Sequence, residues 1–173
     1  MRRLFVAATL VLFLAGFAWS VCKKEGQIKN GETLIVHLLP RDPRAFLLGD
    51  YMALNYAMNR EVDTALSARY ADGKNLPGNG IAVVRLDPDK VASFVRLDDG
   101  SPLQDDERRL HFRVRGHKAR IAAPAFYFQE GSAEDFDRAQ YGELRVDADG
   151  ASLLVHLLDD ELARIQPQKV KTE

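Results

Sequence analysis

Cysteine is nearly absent from this chain. Among 173 residues it occurs once, at Cys22, which excludes an intrachain disulfide and a cysteine-built zinc site. An excess of one charge is missing as well. The 24 Lys and Arg stand against 25 Asp and Glu, so the basic footprint expected of a nucleic-acid-binding protein is not there. Internal repeats and low-complexity segments are also lacking. His37, His111, His117 and His156 are scattered, and no two of them have the close spacing of a zinc motif. On these grounds no metal, no cofactor and no catalytic residue is assigned.

What the chain does have begins at the N-terminus. Met1-Arg2-Arg3 precedes Leu4 to Val21, a run without a charged residue that has about the minimum length for crossing a bilayer core of roughly 30 Å at 1.5 Å per residue. Lys23 and Lys24 follow, so the basic residues on the two flanks give an ambiguous orientation signal. Three fates fit the run. Phe and Trp persist to its end, and Trp19 suits the membrane interface, which favours an uncleaved signal anchor. Ala18 and Ser20 are small enough for signal peptidase cleavage. Lipidation at Cys22 is disfavoured by Trp19-Ser20-Val21 before it. Every version places the rest of the chain outside the cytoplasm, with Leu4–Val21 in the lipid bilayer at least at first.

Beyond a polar linker over residues 23–32, the patterning is that of a β-rich α+β domain over residues 33–163, with a polar tail at 164–173. Thr33–Leu39 reads as a strand that is apolar on both faces and ends at Pro40. Glu61–Tyr70 carries apolar residues at helical spacing, and Pro77 to Gly80 reads as a turn. Ile81–Leu86 and Val91–Leu97 form strands joined across Asp87-Pro88-Asp89-Lys90. Ser101–Glu107 reads as an acidic loop with a solvated edge. Arg109–Arg115 alternates, with Leu110, Phe112 and Val114 on one face. Arg109, Arg113, Arg115, Lys118 and Arg120 concentrate positive charge, either to meet anionic headgroups or an acidic partner, or to keep a sheet from pairing edge to edge. Phe126-Tyr127-Phe128 predicts a central aromatic strand. Ser132 with Asp135 predicts a capping box for a short helix with Phe136 and Ala139 on its apolar side. Glu143–Asp147 and Ser152–Leu158 make a closing hairpin around Asp149-Gly150, and from Asp159 onward a loosely ordered tail is expected. Asp147-Ala148-Asp149-Gly150 fails as a calcium loop, because Arg145 and His156 would occupy ligand positions.

Between the first strand and the first helix lies Arg41 to Tyr56. Pro43 sets a turn, Gly49-Asp50 a second, and the residues after it predict a strand on which Met52, Leu54 and Tyr56 share a face and Tyr51 points the other way. The turn is similar to that of signal peptidases, whose catalytic serine stands eight residues before the glycine. Arg41 stands there in this chain, and an arginine is no nucleophile.

Gly49-Asp50-Tyr51-Met52-Ala53-Leu54-Asn55-Tyr56 matches the signature of the GDYXXLXY family of bacterial membrane-associated proteins. Leu39-Pro40-Arg41-Asp42-Pro43-Arg44 is similar to the family's lead-in. Val83-Val84-Arg85-Leu86-Asp87 and Phe126-Tyr127-Phe128-Gln129-Glu130-Gly131 resemble two further motifs, with Val83 where tyrosine and Gln129 where proline is usual. Arg145 to Gly150 is similar to its closing strand and turn. The resemblance runs from about Leu34 to Leu158. It implies a domain held by one N-terminal hydrophobic segment and associated with polytopic membrane proteins, and it brings no catalytic residue, substrate or cofactor.

These readings combine into one expectation. The domain is mainly β, a mixed antiparallel sheet or partly closed barrel with one or two short helices, preceded by one N-terminal hydrophobic helix. It sits outside the cytoplasm on the bacterial inner membrane, periplasmic and single-pass, as an accessory module that docks on an integral membrane partner. Asp50, Tyr51, Tyr56, Tyr127 and Glu130 are the candidate ligand- or partner-binding residues. The alternative is a small-ligand-binding or hydrolytic pocket near Asp50 and Glu130.

Overall fold

The computed structural model describes residues 2–39, 51–70, 76–129 and 132–167. Three helices, α1 (Arg2–Asn30), α2 (Ala57–Arg69) and α3 (Ala133–Phe136), accompany nine strands among them. These are β1 (Glu32–His37), β2 (Tyr51–Ala53), β3 (Asn79–Leu86), β4 (Ala92–Leu97), β5 (Glu107–Arg115), β6 (Lys118–Arg120), β7 (Ala125–Tyr127), β8 (Tyr141–Val146) and β9 (Ser152–Leu158).

Every strand ladder is antiparallel. One sheet has the order β1-β8-β9 and another β4-β3-β5-β6. They meet where the free edge of β1 forms a parallel bridge between Ile35 and Val91, with the Ile35 N–H donating to the Lys90 carbonyl at 2.9 Å. The resulting surface runs β9-β8-β1-β4-β3-β5-β6 and curls on itself. At the β8–β9 turn the Gly150 carbonyl accepts the His111 N–H of β5 at 2.8 Å, although β5 lies four strands away from β8 in that order. The fold is therefore a half-barrel with few helices, as the strand pattern predicts. Gly150 is required at this contact, because its φ is +93° and an added Cβ would stand 2.9 Å from the Arg109 carbonyl oxygen.

Helix α2 closes the open side. Met58, Val62 and Leu66, spaced four apart, form its buried stripe, so the helix starts one turn earlier than the sequence pattern indicates. Leu34, Val36, Val84, Leu110, Phe112 and Leu144 line the core against it. The edge strand β6 would leave outward N–H groups unpaired. Two α2 side chains one turn apart take them: Asp63 Oδ1 accepts the Ala119 N–H at 2.6 Å and Asn59 Oδ1 accepts the Ile121 N–H at 3.1 Å. A helix face thus stands in for a missing strand.

One turn design occurs three times. Asp87, Asp147 and Asp159 each accept with Oδ1 the N–H of the residue four further on, at 2.8, 2.8 and 2.9 Å. Each closes the same loop with its own N–H and C=O. The fourth positions are Lys90, Gly150 and Leu162, and all three have positive φ. The third copy revises the expectation for the tail: beyond Asp159 the chain turns back, Ile165 is buried, and Arg164 grips Glu143 through two hydrogen bonds of 2.9 and 3.0 Å.

Other expectations change as well. Most of the segment expected as a polar linker is the last part of α1, which is continuous through Asn30 and anchored by Gln27 Nε2 donating to the Ala151 and Arg145 carbonyls, and Glu32 already opens β1. Asn79 and Gly80 belong to β3 rather than to a turn. The aromatic strand β7 is not central but pairs with β2 alone among the described residues. Its inward Phe126 and Phe128 pack on Phe136, so a helix takes the place a further strand would need. Ser132 makes no capping hydrogen bond, because its φ of −100° and ψ of 10° turn the hydroxyl into the interior. Glu107, expected on a solvated edge, is buried between two arginines at the start of β5. Among the described residues, no helix is long and apolar enough to cross a membrane.

Candidate functional site

Leu54 and Asn55, just after the signature strand β2, line two depressions at once. On one side a groove of about 690 Å³ runs between the end of β1, the residues Met52 to Asn55, and Asp137 to Gln140 after α3. His37 lines it and stacks edge-on with Tyr141 at 5.1 Å. On the other side a cleft of about 390 Å³ lies between α2 and β6, lined by Asn55, Asn59, Arg60, Asp63, Lys118 and Arg120 over a floor that includes Ala119 and Pro124.

The two tyrosines of the signature have opposite fates: Tyr51 opens β2, whereas Tyr56 lies beyond its end. Tyr56 is 1% exposed, and its hydroxyl donates to the Ala123 carbonyl at 2.9 Å. Burial pushes its phenol well above the ordinary tyrosine range, so it stays neutral and acts as a tether. Tyr56 is one of the binding residues expected from the sequence. It is instead a core residue at the N-cap of α2.

Tyr51 is half-buried and directly opposite Tyr127 in the β2–β7 register. Their rings lie 5.7 Å apart at 37°, and Tyr127 is 73% exposed. This pair is the aromatic patch: Phe126 and Phe128 hold the inner face of the ribbon on Phe136 while Tyr127 and Tyr51 occupy the outer one. The antiparallel register means that the chain enters β2 and leaves β7 at the same end of the ribbon. Asp50 and Glu130 themselves lie outside the described residues.

The cleft was missed by the sequence reading because β6 was missed. Its signal was available: Gly116 and His117, with φ of +56° and +63°, form a two-residue hairpin turn of the kind that joins antiparallel strands. The turn places Arg113 opposite Arg120 and Arg115 opposite Lys118. All four are exposed, and none has a carboxylate partner among the described residues. Like charges directly opposite on a sheet face repel.

The other end of the same sheet is neutralised. Arg85 lies 3.1 Å from Asp106, Arg96 2.9 Å from Glu107, Arg108 2.6 Å from Glu32 and Arg109 2.9 Å from Asp98. The Arg96 guanidinium hydrogen bond holds the Glu107 carboxyl below the usual carboxylate range, against the opposing effect of burial. Asp98 is lowered chiefly by the Gly100 N–H, and Asp99 chiefly by Ser101.

A β-rich half-barrel behind a 29-residue N-terminal helix, with the strand Tyr51–Ala53 and the residues after it beside two depressions, defines a class by its architecture rather than by a reaction centre. The chain belongs to the GDYXXLXY protein family, whose family model matches residues 13–157, from within α1 into β9. Neither the curated proteins nor the solved structures contain a match to this chain.

Proposed function

We propose that the chain is a membrane-anchored accessory domain, displayed outside the cytoplasm of a bacterial cell, that docks on a polytopic membrane protein through its outer tyrosine pair. One observation carries the reading. Leu10, Val11, Leu12, Phe13 and Leu14 are consecutive and all more than half exposed. At 3.6 residues per turn they point in every direction around α1. A helix apolar on all sides needs a cover all round, and a lipid bilayer supplies one. Phe17 and Trp19, 63% and 72% exposed, continue the same surface toward the domain. Added to Leu4–Ala8 of the sequence, the run reaches about the span of a bilayer core.

Docking rests on the ribbon. Tyrosine offers a large rigid surface with a polar tip, the composition enriched at protein interfaces. Tyr127 is the one large apolar residue beyond α1 that stands more than 70% exposed among the described residues. Photocrosslinking from position 129, exposed two residues beyond Tyr127, in native membranes, followed by identification of the captured protein, is the test. A specific polytopic partner whose capture falls in Tyr51→Ala and Tyr127→Ala supports the reading, whereas undiminished capture in the double variant would overturn it. Protease treatment of spheroplasts tests the side of display: digestion of the domain in intact spheroplasts supports it, and full protection refutes it.

The β2–β7 register favours a second reading, a small-ligand or hydrolytic pocket near Asp50 and Glu130, because it directs the two flanking segments to one end of the ribbon. Cooperating carboxylates sit within roughly 5–10 Å of each other. A spin-label distance of more than about 15 Å between positions 50 and 130 removes this reading, since it exceeds the reach of cooperating carboxylates.

A further inference from the structure

We propose that the cleft between α2 and β6 is a binding site for a soluble phosphate-bearing anion, held by Arg60, Lys118 and Arg120. Three observations converge on it. The cleft, at about 390 Å³, lies in the size range of small-molecule sites. Its charged lining consists of those three cations and Asp63, whose Oδ1 is already engaged by the Ala119 N–H. Three cations against one carboxylate leave an excess of two positive charges. A phosphate group near neutral pH carries about −1.5 to −2, which matches that excess.

The register supplies the second argument. Arg113 opposite Arg120 and Arg115 opposite Lys118 are two like-charge pairs on one short hairpin. Nothing in the described chain offsets this repulsion, although the same sheet neutralises Arg85, Arg96, Arg108 and Arg109 with carboxylates. A bound anion would relieve it. The third argument is donor chemistry. Arg60 and Arg120 offer planar forks suited to two phosphate oxygens at once, Lys118 a point charge, and Asn55 and Asn59 line the same cleft with side-chain amides.

The strand directions favour a soluble source over the headgroups of the chain's own membrane. Arg108, at the start of β5, pairs with Glu32 just after α1, while Arg115 ends the same strand seven residues on. At about 3.3 Å per residue the hairpin tip is roughly 23 Å along the strand from the helix junction. Only this choice of source rests on the anchoring proposed above. Binding itself does not.

The test uses the full chain in neutral detergent micelles, titrated with inorganic phosphate, pyrophosphate and, at matched ionic strength, chloride. The expected result is a saturable rise in Tm with pyrophosphate that chloride does not reproduce. Arg60→Gln and Arg120→Gln should each raise the half-saturating concentration at least about tenfold, the loss expected for a charge-assisted hydrogen bond. Arg69→Gln, at the far end of α2, should respond as the parent chain does. Without anion, Arg120→Gln should be at least as stable as the parent, because a repulsive pair has gone. Phosphorus NMR line broadening of pyrophosphate reads binding independently of stability. Equal responses to chloride and pyrophosphate, or an Arg120→Gln variant that responds like the parent, would overturn the site. In nanodiscs, equal pyrophosphate affinity in phosphatidylcholine and in phosphatidylglycerol-containing bilayers supports the soluble source. Weakening by the phosphatidylglycerol bilayer overturns that source and assigns the site to headgroups.

Discussion

The two ends of the four-stranded sheet use the same residue type in opposite ways. Around the start of β5, Arg85, Arg96, Arg108 and Arg109 each meet a carboxylate within 3.1 Å, and Glu107 is buried among them. At the β5–β6 hairpin, Arg113, Arg115, Lys118 and Arg120 face one another instead. The difference shows that a count of basic residues carries little meaning until each has been matched with its neighbours. The first end is closed: its charges hold strands and loop together, and a new ligand would have to displace a partner. The second end has its backbone secured by Asn59 and Asp63 and its cationic side chains left to solvent.

The contrast yields a graded set of expectations. The largest effect belongs to Glu107→Ala, which leaves Arg85 and Arg96 facing each other without their shared acid and should give the greatest Tm loss of the set in a thermal melt. Asp63→Ala removes the acceptor for the Ala119 N–H at the cationic end. It should cost about 1–2 kcal/mol, a fall of roughly 3–6 °C in Tm. Acid should act on the closed end. Because the folded state holds Glu107, Asp98 and Asp99 below their ordinary range, their contribution is complete above the ordinary carboxylate pKa and is lost as pH falls through the depressed values. The plot of Tm against pH should therefore be shallower in acid for Glu107→Gln than for the parent. The smallest effect has the opposite sign: Arg120→Glu turns a repulsive cross-strand pair into an attractive one. It should stabilise by about 0.5 kcal/mol at low salt, with the gain fading toward 1 M salt. A loss of stability in Arg120→Glu at low salt would break the contrast.

Much of the half-barrel was legible because its strands alternate or carry dense β-branched runs, and because Asp-containing turns punctuate them. Arg109 to Arg115 is the clearest case: Leu110 and Phe112 are buried, and His111, Arg113 and Arg115 are exposed. The opposite fates of Tyr51 and Tyr56 match the alternation read from the sequence, although β2 ends at Ala53 and Tyr56 caps α2. What could not be read locally was set by partners distant in sequence. The burial of Glu107 depends on Arg85 and Arg96 from two other strands, and the short β6 depends on a helix more than fifty residues earlier. The peripheral place of β7 is fixed by Phe136 stacking on its inner face, which neither segment announces alone. The cleft was invisible for the same reason, since it exists only where α2 meets an edge strand of three residues.

The pairing of β1 with β8 joins Glu32 to Val146, nearly the first and nearly the last elements of the domain. A ribosome adding about 5–20 residues per second needs on the order of 5–20 s to deliver β8 after β1 has appeared. Throughout that interval Leu34, Ile35 and Val36 lack the ladder of β8, and until Val91 has been added they lack its bridge as well, so an apolar strand waits with its β8 edge open. The half-barrel is thus completed from its first strand last. Birth of the protein, rather than its mature life, is when it is most exposed to mispairing and most in need of a chaperone.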